Sequence, residues 1–392
     1  MAKKLIRTYL WLTGIQNFFF SFMFAIYVLF LLDNGMSYLD VNLINLVFMI
    51  TIFILEIPTG VFADVLGRKI SVLISYVILI ISMLVYFCSH TFIEFAIAEV
   101  LFGIGACFHS GAFDALLKDN LDFYGYKEDI GKVFSQGNIV RQVAVIVGGV
   151  SGALIANYHL RIQWLIGSFG YVISFWLVIF LIPEENFNGH KINWKNICKV
   201  LRKIWRQSLK HAVYNRKVLN IILLCACFMA GVQALNMLWS PLVEQKLGIE
   251  YLSIGWAGIS LFSLLGSWYA KRKLKNDNHL TFLMYSIVIT FIFVLLSSVF
   301  TAGLLILITF WLHETGRGIF NPVHNALLQN NIPSEVRATV TSFCSQISHA
   351  GAGIGLILAG VISTCSSIQT SWLISSLIIL SSLFFVCRIK KS

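Results

Sequence analysis

Charge is scarce in this chain. Only 12% of its 392 residues are Asp, Glu, Lys or Arg, against 58% hydrophobic residues, and the mean hydropathy is +0.81. That ratio excludes a water-soluble surface and puts the protein in a bilayer. Acidic residues are the scarcer kind, 18 against 29 basic, for a formal net charge of +11. Nucleic acid is nevertheless not the implied partner, because the cations are segregated. With the N-terminus cytoplasmic, Arg161 and Lys246 are the only Lys or Arg in outward loops, and Arg141 and Arg317 the only ones within spans. The rest fall on the inner side, as the positive-inside rule requires. The eight cysteines lack paired C-x-x-C spacing, which removes the usual zinc and dithiol motifs. A P-loop is lacking too, which argues against direct ATP coupling, and no cofactor or metal is expected. Lys3, Lys4 and Arg7 precede an apolar run without a small-residue cleavage site, so that run reads as an uncleaved first span.

What the chain does contain is apolar runs of membrane-spanning length. They lie near residues 8–32, 38–63, 70–88, 92–117, 133–157 and 162–182, and again near 218–243, 251–270, 280–301, 304–328, 337–363 and 370–387. Both termini then face the cytoplasm. The expectation is an all-α integral membrane protein of twelve transmembrane helices in two pseudo-symmetric six-helix bundles, 1–183 and 218–392. The longest hydrophilic stretch, 184–217, falls between them as a linker. Within it Trp194, Ile197, Leu201, Ile204 and Trp205 recur at helical spacing opposite Lys195, Lys199, Arg202, Lys203, Arg206 and Lys210. That pattern describes a basic amphipathic helix for the anionic lipids of the inner leaflet.

The turn after the second run reads Pro58-Thr-Gly-Val-Phe-Ala-Asp-Val-Leu-Gly-Arg-Lys69. Gly60 and Gly67 give the backbone freedom to change helices, while Asp64, Arg68 and Lys69 hold the turn at the water interface. Either this is a basic turn that only fixes topology, or it is a latch whose carboxylate pairs with a helix N-terminus or an arginine. The wording Gly60-x-x-x-Asp64-x-x-Gly67-Arg68-Lys69 resembles the cytoplasmic signature of the major facilitator superfamily, with Val65 where the family often has a basic residue. The resemblance implies alternating access between two bundles, Asp119 as a partner for Arg68, and the start of span eleven (Asn330, Asn331, Pro333, Ser334, Arg337) as the neighbour of Asp64. Glu56 would brace the latch.

An internal repeat points the same way. Phe113-Asp-Ala-Leu-Leu-Lys-Asp-Asn-Leu121 matches His324-Asn-Ala-Leu-Leu-Gln-Asn-Asn-Ile332, and at the same offset Gly105 falls on Gly316. Gly266 matches Gly60, with Ala270 where Asp64 would be. The segment from Phe102 to Asp119 resembles the fourth span of drug-efflux facilitators, with Glu99 and Val100 in the region where those often carry arginine. Gly148, Gly149 and Gly152 partly resemble the fifth-span motif of the antiporters, without its proline; close helix packing is the favoured explanation of them.

A charge at mid-span costs about 2.5 to 3.5 kcal/mol, so each asks for a reason. His313, Glu314 and Arg317 share an edge of span ten and are either a self-neutralising pair or a cavity-facing carboxylate. His109 and Asp114 lie on span four, and Arg141 on span five at a depth that would let it meet Asp114. These are the candidates for proton coupling. Gln16, Asn17, Gln233, Asn236 and Trp311 are the candidates for substrate binding. Taken together, the residues and the resemblance lead to a monomeric, proton-coupled exporter of small hydrophobic or amphiphilic compounds in a bacterial cell membrane. An uptake symporter, a transport-inactive sensor and an intramembrane lipid-modifying enzyme using His109 or His313 are the alternatives.

Overall fold

In lipid the backbone has no water to bond, so each apolar run must satisfy its own N–H and C=O groups, and helix is the local solution. The structure, a computed structural model, describes residues 1–183, 215–275, 278–332 and 337–391, and the backbone alone at 57, 61, 64–66 and 337–339. The basic amphipathic helix expected in the linker lies outside the described residues, as do Cys198 and the side chains of Asp64 and Arg337. Helix accounts for 89% of the structure, with no strand among the described residues. The helices are α1 (Ala2–Phe20), α2 (Tyr27–Asp33), α3 (Tyr38–Leu66), α4 (Arg68–Cys88), α5 (Phe92–Phe123), α6 (Ile130–Ala156) and α7 (Ile162–Leu181). They continue as α8 (Arg216–Leu247), α9 (Leu252–Lys273), α10 (His279–Val299), α11 (Gly303–Asn330), α12 (Arg337–Cys365), α13 (Ile368–Ser381) and α14 (Leu383–Lys391).

Eleven helical stretches among the described residues are long and apolar enough to cross a membrane. The twelfth span, α11, has the length but carries His313, Glu314 and Arg317 near its middle. Two spans are interrupted. The first breaks between α1 and α2 at a 3-10 turn, Ser21–Met23, and the last breaks at Ser382 between α13 and α14. Conversely, α3 continues through Pro58 as far as Leu66, so Gly60 lies inside a helix rather than in a turn. The glycine that makes the close approach there is Gly111 of α5, whose Cβ would stand 3.3 Å from the Gly60 Cα. Only Gly67 makes the turn, at φ 106°, a conformation open to glycine.

The chain divides into two units, Met1–Met36 with Val47–Ile197, and Ser37–Leu46 with Cys198–Ser392, the later break falling outside the described residues. In unit 1 the packed pairs are α4 with α5, α4 with α7, α1 with α6 and α1 with α7; unit 2 repeats them as α10 with α11, α10 with α13, α8 with α12 and α8 with α13. Glycine makes the closest of these approaches. A Cβ at Gly148 or Gly152 would stand 2.1 Å from the Phe18 or Phe22 carbonyl oxygen, and one at Gly351 or Gly355 would stand 2.3 or 2.1 Å from that of Ala226 or Ala230. The repeated Gly105 and Gly316 likewise face the backbone oxygens of Ser75 and Ser286, at 3.2 and 2.7 Å from their would-be Cβ atoms. The start of α3 is held in unit 2, where Gln245 Nε2 donates to the Tyr38 hydroxyl (2.8 Å) and the Leu39 N–H to Thr364 Oγ1 (3.0 Å).

Gly152→Ala and Gly355→Ala should each cost about 1 to 3 kcal/mol, because the added carbon meets backbone that cannot step aside. Gly60→Ala, whose Cβ meets nothing within 4 Å, should stay within about 0.5 kcal/mol of wild type. Thermal unfolding of the detergent-solubilised variants reads the difference.

Candidate functional site

One face of α1 carries Tyr9, Thr13, Gln16 and Phe20 at helical spacing, and it lines a cavity of about 390 Å³ inside unit 1. Asn17 joins this wall. Opposite stand Phe102, Ala106, His109, Ser110, Phe113 and Asp114 of α5, with Gly137, Asn138 and Arg141 of α6. Phe48, Leu79 and Tyr171 contribute from α3, α4 and α7. Of the sequence candidates, the structure therefore brings Gln16, Asn17, His109, Asp114 and Arg141 together.

Gln16 is buried and organises one end of this wall. Its amide oxygen accepts from the Tyr76 hydroxyl at 2.9 Å and meets His109 Nε2 at 3.0 Å. Because an amide oxygen only accepts, His109 donates from Nε2. The His109 ring stacks on Phe113 (centroids 4.7 Å), which stacks on Tyr9 (5.3 Å). Tyr9 in turn donates its hydroxyl to Asp114 Oδ1 at 3.0 Å.

The Asp114–Arg141 pair anticipated from depth is not made. Arg141 donates to Asn138 Oδ1 at 3.1 Å instead. The reason is Tyr9, whose ring fills the space between α5 and α6, stacked on Phe113, edge-on to Phe134 (6.3 Å) and pressed against Gly137. Carboxylate and guanidinium thus line one cavity without neutralising each other directly.

In unit 2, Arg317 donates to Glu314 Oε1, and His313 Nε2 stands 3.4 Å from the same oxygen. His313 and Glu314 are buried, with 0% and 3% exposure, whereas the Arg317 side chain is 24% exposed. His313 Nδ1 faces the Phe310 carbonyl. The other polar candidates of unit 2 are occupied. Trp311 donates its indole N–H to the Gly255 carbonyl (3.2 Å) and packs against Gly258, a role in the α9–α11 contact, and Asn236 donates to Gln233 (3.0 Å).

At the α3–α4 turn, Arg68 pairs with Asp119 at 2.7 Å and donates to the Ala115 carbonyl at 3.0 Å, while Lys69 Nζ donates to the Ile179 carbonyl at 3.3 Å. The turn therefore ties the starts of α4 to the ends of α5 and α7. Glu56 is exposed on α3, and its backbone oxygen accepts from Thr59.

Residues 10–355 match the Major Facilitator Superfamily. The chain belongs to that superfamily. It is 22% identical over 379 residues, covering 91% of this chain and 88% of the relative, to the MFS-type transporter YxaM of Bacillus subtilis (strain 168). Its fold is similar to that of the nucleoside transporter NupG, with a TM-score of 0.81, 15% identity and 99% of each chain covered. It is also similar to the human organic anion transporter MFSD10 (TETRAN), with a TM-score of 0.68, 14% identity and coverage of 98% of this chain and 99% of the other. The protein is accordingly a multi-pass membrane transporter with the all-α facilitator fold.

Tyr9, Thr13, Asn138 and Tyr171 of this facilitator's cavity, and Tyr76 behind Gln16, were not among the residues marked in the sequence. The signal existed for the first two, which precede Gln16 by two turns and by one turn on the same face of α1. Nothing in the sequence separates Tyr76 or Tyr171 from packing aromatics.

Glu314→Leu should cost about 3 kcal/mol, because it leaves Arg317 without its counter-charge, and adding Arg317→Met should recover most of the loss. Unfolding midpoints of the single and double variants in detergent measure this; equal midpoints would mean that the pair carries no coupling.

Proposed function

We propose that the protein is a secondary active transporter that works by alternating access and exports small hydrophobic or amphiphilic compounds in exchange for protons, in the manner of the drug-efflux branch. The observation that carries this reading is the cavity of unit 1. Phe20, Phe48 and Phe102 form an aromatic wall, with Phe102 stacked on Phe20 (5.3 Å) and tilted against Phe48 (5.4 Å). Gln16, Asn17, His109, Asp114 and Arg141 supply polar groups to the same cavity. About 390 Å³ lined by both aromatic rings and hydrogen-bonding groups suits a small amphiphile. Asp114 and the buried Glu314, with His109, His313, Arg141 and Arg317 beside them, are the proposed proton-coupling groups.

In this reading the bundles are 1–183 and 218–392, joined by 184–217, and Gly60, Asp64, Gly67, Arg68, Lys69 and Asp119 form the inner latch. Both termini lie in the cytoplasm of a bacterial cell, the transporter works as a monomer, and anionic lipids meet its basic inner face. Arg272 over the exposed Trp268 ring (4.1 Å) and Arg388 over Phe384 (4.7 Å) support such an interface. A second reading, uptake of a polar solute by symport, is favoured by the same hydrogen-bonding wall and by the nucleoside transporter among the fold neighbours.

Accumulation of a panel of lipophilic, cationic and nucleoside compounds in cells with and without the gene separates the two. Export predicts lower accumulation with the gene, abolished by an uncoupler and reduced at least tenfold in initial rate by Asp114→Asn, on the order of 1.4 kcal/mol of barrier. Higher accumulation of one compound with the gene would establish uptake instead.

A further inference from the structure

Glu99 has no place in the cavity or in the charge pairs described above, yet it is one of the most deeply buried carboxyls in the chain, at 4% exposure. It lies seven residues beyond Phe92 on α5, about 10 Å into the helix from the end of unit 1 that holds Arg161. The Tyr27 hydroxyl donates to Glu99 Oε1 at 2.6 Å. Tyr86 of α4 presents its hydroxyl to the same two side chains without reaching hydrogen-bond geometry, and Trp164 of α7 stacks on Tyr86 at 3.9 Å with its indole N–H also unpartnered. Tyr86 and Trp164 are each only 1% exposed. A buried carboxyl beside two buried, unused polar groups is a costly arrangement that needs a ligand or a task.

The surroundings offer Glu99 no counter-charge. Residues 21–66 and 70–117 contain no Lys or Arg, and Arg161 is the sole one in 142–183. Arg161 is fully engaged: it donates to the Phe87 and Ser89 carbonyls (2.5 and 3.1 Å) and to Asn34 Oδ1 (2.5 Å), meets His90 Nδ1 (3.2 Å) and lies over the Phe30 ring. The other titratable groups of the packed elements are also accounted for. Glu94 caps its own helix through His90 N and Thr91 N, Asp40 accepts from Ser37, and Asp33 and Cys88 are exposed at helix ends. Tyr27 and Tyr86 are thus the ionisable neighbours, and of the two only Tyr27 donates to the carboxyl.

We propose that Glu99 is a proton-binding site of this transporter, in which Tyr27 fixes the carboxyl and Tyr86 and Trp164 hold the water that brings the proton from the Arg161 end. A hydronium gives one proton to a carboxylate oxygen and leaves as water, and the reverse step restores the carboxylate. Only its use in the cycle rests on the transport reading; its existence does not.

Infrared spectra of the full-length protein in lipid nanodiscs, titrated from about pH 5 to about pH 9, test the proposal. Wild type should show the carbonyl stretch of a protonated carboxyl that fades as pH rises. The band should be missing in Glu99→Gln, retained in Glu314→Gln and moved to higher wavenumber in Tyr27→Phe, which removes its hydrogen bond. A Glu99→Gln spectrum identical to wild type overturns the proposal, as does a Glu99 band that pH leaves unchanged. If Glu99→Gln fails to fold, an unmoved band in Tyr27→Phe overturns it in the same way. A Glu99 band in a protein that moves no compound would sink the transport reading and leave the proton site standing; flux without that band does the opposite.

Discussion

Helices in lipid gain nothing from hiding apolar surface from one another, so their association depends on backbone proximity and packing. In this protein that proximity comes from glycine set against carbonyl oxygen. Gly148 and Gly152 lie on the Phe18 and Phe22 carbonyls, and Gly351 and Gly355 on those of Ala226 and Ala230. The same device thus joins α1 to α6 and α8 to α12. The first span breaks just where α6 presses on it, at Ser21–Met23, and the Ser21 hydroxyl bonds the Phe18 carbonyl there.

Tight packing on one side of α1 leaves its opposite face free to line a cavity. Tyr9, Thr13, Gln16 and Phe20 occupy that face, and α5 supplies partners for Tyr9, Gln16 and Phe20. Polar groups in the cavity are tied to one another through rings, from Gln16 through His109 and Phe113 to Tyr9 and Asp114. This chain fixes the wall without neutralising its charged members, and that is what a site for a partly polar solute requires. The turn at Gly67 performs a separate task, holding α4 to α5 and α7 through Arg68 and Lys69.

Much of this was legible in the sequence for physical reasons. Apolar length revealed the spans, and the repeat relating Gly105 to Gly316 reappears as equivalent contacts of α5 on α4 and of α11 on α10. Gln16, Asn17, His109, Asp114 and Arg141 stood out because polar atoms in a span are expensive. Other features carry no such mark. The break after Phe20 holds no glycine or proline, with Ser21 its one polar residue, and Pro58 would ordinarily end a helix that here runs on to Leu66. Tyr9 is an aromatic among many, and its intrusion between α5 and α6 is what parts Asp114 from Arg141. Trp311 looked like a cavity residue but spends its N–H on a backbone carbonyl.

The central claim is that glycine-packed helices enclose a water-accessible cavity in unit 1. Single cysteines at Ser110, Asn138 and Ile139, on a background with the eight native cysteines replaced, put it to the test with a membrane-impermeant maleimide in membranes open to both sides. Ser110→Cys and Asn138→Cys should label rapidly, whereas Ile139→Cys, 61% exposed but pointing away from the cavity, should not. Equal protection of all three positions would contradict the account.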